Sequence, residues 1–143
     1  MMPVTADQVA TLRAYLKGDF GEYERLVDQL DSGAARTGYS VLLAAAFFKA
    51  VDRRFAENGT DADVVEFVGH VRARSERLGD KIDPRIAERL IRAVYTDEDI
   101  DDIDGETVIG TQFLLLAALV VDERLDEAGL DRFLAEARAL ADQ

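Results

Sequence analysis

The spacing of apolar residues constrains this fold more than any other feature of the sequence. Apolar side chains recur three and four residues apart along almost the whole chain, and no stretch alternates with period two for long enough to make a strand. Residues at that spacing share one face of an α-helix. For a chain of 143 residues, the pattern predicts an all-α, single-domain bundle of about seven helices.

Capping residues mark several of the predicted helix boundaries. Thr5 and Gln8 have the spacing of a capping box, in which two side chains satisfy backbone amides at the start of a helix. Asp83, which precedes a proline, is typical of another helix start. Ser40 is predicted to cap a helix that contains the apolar run 41–48, and because that run is apolar all round we expect the helix to be central.

The chain also resembles itself. Residues 51–55 match residues 121–125, and this match is one of three that occur in the same order in segments 19–78 and 83–142. The matches predict two three-helix repeats preceded by an added amino-terminal helix. The alternative is that any two amphipathic helices rich in alanine, leucine, arginine and glutamate give such matches.

The composition leaves few residues for catalysis. The chain has no cysteine and one histidine, His70, which excludes disulfides, thiolate ligands and metal sites built from several histidines. Its 29 acidic and 17 basic residues give a net charge of −12, and this charge repels nucleic acids and anionic membrane surfaces. We therefore expect no cofactor and no nucleic-acid partner.

The amino terminus and the apolar runs indicate a compartment. The start of the chain lacks the basic and apolar regions of a signal peptide. The longest apolar runs, 41–48 and 113–121, are shorter than the ~20 residues that cross a bilayer. We expect a cytoplasmic protein with no membrane partner.

An acidic loop at residues 97–106 is the densest run of charge. Carboxylates at this density suit Ca²⁺ or Mg²⁺. The candidate ligands are Asp101, Asp102, Asp104 and Glu106. An EF-hand with Gly105 in sixth place would need acids at Ile100 and Thr111, so that motif is absent. We favour a solvated loop leading into a helix start, where the helix dipole stabilises acidic side chains.

Basic residues concentrate between His70 and Arg92. The arginines of this basic strip are Arg72, Arg74, Arg77, Arg85 and Arg89. An electropositive strip on an acidic molecule suits an anionic ligand, an acidic partner, or the acidic loop of the same or a neighbouring subunit. The alternative is a solvated face with ordinary ion pairs such as Glu88 with Arg92.

A further set of charged residues recurs at the ends of the two apolar helices. These are Asp52 and Arg54 in the first, and Asp122 and Arg124 in the second. They predict either an ion-pair network at the edge of the core or the lining of a ligand site. Glu66 and His70 lie four residues apart, which indicates a hydrogen-bonded structural pair or, alternatively, a general base oriented by a carboxylate.

Three hypotheses for function follow. The scarcity of catalytic residues and the uneven charge favour a noncatalytic interaction or regulatory module that self-associates, as a homodimer. The second hypothesis is a helical bundle that binds a small molecule in an apolar pocket between the two apolar helices. The third is a metal-dependent hydrolase of phosphate esters that uses the acidic loop.

Overall fold

A computed structural model describes residues 3–30, 32–56 and 59–143. Every regular element in those residues is a helix, which confirms the all-α prediction. The eight helices are α1 (Ala6–Lys17), α2 (Phe20–Gln29), α3 (Gly33–Phe55), α4 (Asp61–Ala73), α5 (Glu76–Lys81), α6 (Pro84–Tyr95), α7 (Gly105–Glu123) and α8 (Glu127–Ala141).

The described residues contain one helix more than the predicted seven, and this helix is α5. In the sequence, the charged residues before Gly79 read as a continuation of the preceding helix. In the structure, α4 ends at Ala73. Ser75 has an extended backbone, and its hydroxyl oxygen accepts a hydrogen bond from the N–H of Leu78. A serine in this position starts a new helix because it satisfies an amide that the helix itself leaves free.

The prediction that Ser40 caps the third helix is wrong. α3 begins at Gly33, and Ser32 performs the capping: its Oγ accepts from the N–H of Ala35 at 2.9 Å. Ser40 lies inside the helix, where its hydroxyl donates to the carbonyl of Arg36 at 3.1 Å. A serine can satisfy its hydroxyl in either way, so the residue type alone did not identify the boundary.

The other caps agree with the sequence. The Thr5 hydroxyl accepts from the N–H of Gln8 at 3.2 Å, and the Gln8 side-chain oxygen accepts from the N–H of Thr5 at 2.9 Å. At the start of α6, Asp83 accepts from the N–H groups of Arg85 and Ile86. These reciprocal bonds satisfy amides that have no partner within the helix.

The helices form two compact units. The first unit contains residues 1–49 and 120–143, and the second contains residues 50–119. The chain passes from one unit to the other within α3 and again within α7. These limits do not coincide with segments 19–78 and 83–142, and the internal repeat stays a prediction.

In the first unit, α1 packs against α2 and α8. Leu12, Phe47 and Phe133 are completely or almost completely buried there. Hydrogen bonds fasten the segment before α1 to the end of α8: the N–H of Val4 donates to Asp142 at 2.8 Å, and Arg138 donates to the Val4 carbonyl at 2.8 Å. The amino-terminal helix is therefore part of the core of this unit.

In the second unit, α4 packs against both α5 and α6. The apolar face of α4 is buried; its members are Val64, Phe67, Val68 and Val71. Ile82, between α5 and α6, is also buried. The buried residues follow the spacing of three and four, whereas Val65, which the sequence pattern places in the same stripe, is 49% exposed.

Among the described helices, α7 is long and apolar enough, judged by length and composition, to cross a bilayer. The sequence argument considered only the unbroken run 113–121, whereas the helix also includes uncharged polar residues before it. A core helix of a soluble protein passes the same test.

Three tyrosines from α1, α2 and α3 meet in the first unit. The rings of Tyr15 and Tyr23 lie 5.5 Å apart, and Tyr39 is their neighbour. Burial, together with the nearby Tyr23 hydroxyl, raises the pKa of Tyr15 to about 12. Burial also raises the pKa of Tyr39 and of Tyr23 above the ordinary value.

This cluster predicts a loss of stability at high pH. In the unfolded chain tyrosine ionises near pH 10, whereas folded Tyr15 keeps its proton until about pH 12. Above pH 10 the unfolded chain therefore binds fewer protons, so the free energy of unfolding falls between pH 10 and pH 12. Urea unfolding across this range measures the decrease, and phenolate absorbance reports the ionisation. A folded chain whose tyrosines all titrate like those of the urea-unfolded chain would contradict the prediction.

Candidate functional site

An exposed apolar face on α3 is the most distinctive surface of the first unit. Its members, which we call the α3 stripe, are Ala34, Thr37, Val41, Ala44 and Phe48. They are spaced three or four residues apart and therefore lie along one side of the helix. Val41 and Phe48 are each 41% exposed. The expectation that this helix is wholly central is therefore wrong for this face.

The α3 stripe contains no charge. From Thr37 to Phe48 the sequence has no acidic or basic residue, although charged residues make up 32% of the chain. The small side chains of Ala34 and Ala44 leave the helix backbone open to close approach by another element. A long uncharged face of this kind suits contact with another apolar surface.

A cavity of about 510 Å³ opens beside the α3 stripe. It lies between the start of α1, the end of α2 and the first half of α3, and Ala34, Thr37 and Val41 belong both to its lining and to the stripe. Val4 and Leu30 add apolar surface. We call this space the stripe cavity. Its volume lies within the range of about 300–1,000 Å³ that is typical of small-molecule pockets.

The wall of the stripe cavity depends on a buried glutamine. Gln8 is 3% exposed, and its side-chain amide donates to the carbonyl of Ala35 at 2.9 Å. The same side chain completes the capping box of α1 with Thr5. Gly38 allows this arrangement, because a Cβ atom at that position would lie 2.5 Å from the Gln8 amide nitrogen. One side chain thus joins the start of α1 to the start of α3.

This contact predicts that Gly38→Ala destabilises the protein. The added methyl group would displace the Gln8 side chain and weaken its bonds to Thr5 and Ala35, a loss of about 1–2 kcal/mol that exceeds the gain of about 0.5–1 kcal/mol from replacing a helical glycine by alanine. Urea unfolding measures the change. Gly21→Ala in α2 is the matched control, because a Cβ atom there meets nothing within 4 Å, and we expect it to be neutral or stabilising. Equal stability of the two variants would show that Gln8 moves without cost.

The structure places part of the basic strip against the acidic loop of the same chain. Arg89 binds both carboxylate oxygens of Asp102, at 2.6 and 3.1 Å, and contacts Glu98 at 3.3 Å. It also donates to the backbone carbonyl of Asp99. The Arg89 guanidinium holds the pKa of Asp102 below its ordinary value. Asp102 therefore has a cation as its neighbour within the chain.

The other candidate metal ligands have different surroundings. Asp104 accepts a hydrogen bond from the N–H of Thr107 and so caps α7, and Glu106 lies in the first turn of that helix. The N–H of Asp101 donates to Asp99. Among residues 3–30, 32–56 and 59–143, no three acidic, histidine or cysteine side chains are grouped as a metal ion would require.

These contacts predict that Arg89→Ala releases the acidic loop. Without the guanidinium, the amides of residues 97–103 should exchange with deuterium faster, while global stability changes little because Arg89 pairs with exposed carboxylates. Hydrogen exchange with mass spectrometry measures the effect. Arg85→Ala, at an exposed position on the same helix, is the control and should leave the loop protected. An unchanged exchange rate in Arg89→Ala would show that the backbone alone orders the loop.

The remaining arginines of the basic strip do not share one role. Arg72 turns toward the backbone, where it donates to the carbonyls of Gly79 and Ile82 at 2.9 and 2.8 Å. It therefore fastens the end of α5 to α4. Arg74, Arg77 and Arg85 are exposed.

The recurring aspartate and arginine residues lie in separate units. Asp52 and Arg54 belong to the second unit, whereas Asp122 and Arg124 belong to the first. The Arg54 guanidinium lies over the Phe67 ring, 4.9 Å from its centre. Arg124 has a positive φ of 53° and follows the end of α7.

A smaller cavity of about 240 Å³ in the second unit contains the single histidine. Arg54, Glu66 and His70 line it, together with Asp63. Glu66 and His70 are both exposed, and no hydrogen bond joins their side chains in the part of the chain that the structure describes. Within the described residues, Glu66 and His70 therefore share the lining of this cavity without forming the predicted pair.

Comparison with known protein families, with curated proteins and with solved structures finds no match to this chain. The α3 stripe and the stripe cavity were not identified from the sequence. The signal that could have found them is the uncharged run 37–48, which combines small residues such as Gly38 and Ala44 with large apolar ones. Because the helix carries apolar residues on every side, the run predicts a position in the core instead.

Proposed function

We propose that this protein is a noncatalytic interaction module that associates with a second copy of itself through the α3 stripe. The observation that carries the proposal is the exposure of Val41 and Phe48 on one uncharged helix face, next to an apolar cavity. Exposed apolar side chains that are grouped on one face, rather than scattered singly, are typical of protein contacts.

The charge of the chain supports this choice of surface. Two copies that each carry a net charge of −12 repel one another. The repulsion is smallest where the approaching faces have no charge of their own, and the α3 stripe is such a face. Its residue spacing alternates between three and four, which is the spacing that two packed helices use along their contact.

The proposal predicts a dimer that Ala44→Glu disrupts. Ala44 is exposed, so glutamate there should be tolerated by the folded chain, but two copies would bring two carboxylates into an apolar contact. Sedimentation equilibrium of the full chain, over a wide concentration range, measures the mass. Circular dichroism confirms that the variant is folded.

The control for this experiment is Ala135→Glu. Ala135 is an exposed alanine in the middle of α8, also in the first unit, so the two variants make the same chemical change on the same unit. We expect Ala135→Glu to remain dimeric. A wild-type chain that is monomeric at every concentration, or a dimer that Ala44→Glu leaves intact, would refute self-association through the stripe.

The stripe cavity favours a second candidate, the binding of a small apolar molecule. Its size and its apolar lining suit such a ligand, and the Gln8 side chain at its wall supplies polar groups. Binding of an apolar fluorescent probe tests this function. Ala34→Phe, at an exposed position that lines the cavity, should reduce probe binding, whereas Ala135→Phe should not.

A further inference from the structure

We infer that the stripe cavity is the receptor for Phe48 of a second copy, with the two α3 helices antiparallel about a two-fold axis at Val41. The inference rests on the self-association proposed above and specifies its contact. In such a dimer each chain gives one aromatic ring and receives one, as an isologous interface requires.

The position of Val41 makes the α3 stripe complementary to itself. Val41 lies seven residues after Ala34 and seven residues before Phe48. At 1.5 Å per residue, each separation is about 10.5 Å along the helix axis. When two stripes cross antiparallel at Val41, Phe48 of one copy therefore lies level with Ala34 of the other. The largest side chain of the stripe thus faces one of its two alanines.

The cavity lies at the position where the ring arrives. Ala34, Gly38 and Val41 are among its lining residues, and Leu30 and Val4 supply further apolar surface. At about 510 Å³ the cavity is larger than one phenyl ring. A parallel pair would instead place the two Phe48 rings against each other and leave both cavities without a ring. The shape of the surface therefore favours the antiparallel pair.

Charge at the two ends of the contact is also complementary. Asp7 is the one charged residue among the described residues that line the cavity, and it is exposed. Lys49 follows Phe48 directly. Insertion of the ring would therefore bring Lys49 of one copy toward Asp7 of the other, twice in each dimer. Opposite charges placed in this way set orientation and register.

The first test compares two exposed phenylalanines of the same unit. Phe48→Ala should weaken the dimer about 30-fold or more, because a buried aromatic ring is the typical anchor of an interface. Phe20→Ala in α2 is the matched control, since Phe20 is more exposed than Phe48 but lies outside the stripe. It should leave the dimer dissociation constant unchanged. Sedimentation of the full chain measures both.

The second test exchanges the charges. Asp7→Lys and Lys49→Asp should each weaken the dimer about 5-fold, and the double variant should recover most of the loss, as expected for a pair in contact. If each substitution only altered the structure of its own chain, the two losses of dimer affinity would add in the double variant, and no affinity would be recovered. The readout is again the dimer dissociation constant, measured at low salt.

Cross-linking distinguishes the two orientations. The chain has no cysteine, so introduced thiols react without background. A mixture of Asp7→Cys and Lys49→Cys chains should form the mixed disulfide faster than either chain forms its own. Preferential self-linking of Lys49→Cys chains would indicate a parallel pair and overturn the inference.

The outcomes also separate the inference from the proposed function. A wild-type chain that is monomeric would overturn both self-association through the stripe and the docking of Phe48. A dimer that Ala44→Glu disrupts, but that Phe48→Ala and the charge exchange leave unaffected, keeps self-association through the stripe and overturns the docking of Phe48. A dimer that is weakened by Ala44→Glu, by Phe48→Ala and by each single charge change supports the docking of the Phe48 ring in the stripe cavity.

Discussion

The packing of Gln8 against Gly38 is the contact on which the first unit depends. One buried side chain completes the cap of α1 and also binds the backbone of α3, so the starts of two helices are fixed by a single amide. The space for that amide exists only because residue 38 has no Cβ atom. The wall of the stripe cavity and the placement of the α3 stripe beside it follow from this arrangement.

Much of the basic charge of the described chain is used internally. Arg72 binds backbone carbonyls at the end of α5, and Arg89 binds the acidic loop. On the first unit, Arg13 pairs with Asp131 and Lys17 with Glu127. Because Arg72 and Arg89 are engaged in this way, the basic strip is divided between internal contacts and exposed arginines, whereas the α3 stripe is uncharged along its whole length.

The candidate site could be predicted only in part. The scarcity of catalytic residues and the uneven charge predict self-association, with the basic strip as one candidate surface, and both stay predictions. Periodicity identifies most of the buried face of α4, with Val65 as the exposed exception. It cannot do so for α3, where apolar residues occur on every side and the exposed face depends on which neighbours pack against it. Phe48 and Phe47 are adjacent in sequence and identical in type, yet one is exposed and the other buried.

The all-α class and the caps at Thr5 and Asp83 could be predicted from the sequence, because helix periodicity and capping are interactions between residues close together in the chain. The contact of Arg89 with Asp102 across 13 residues and the cavity beside Val41 follow only from the folded structure. Both features depend on which of several suitable side chains lie close together in the folded chain. The local sequence does not encode that distance.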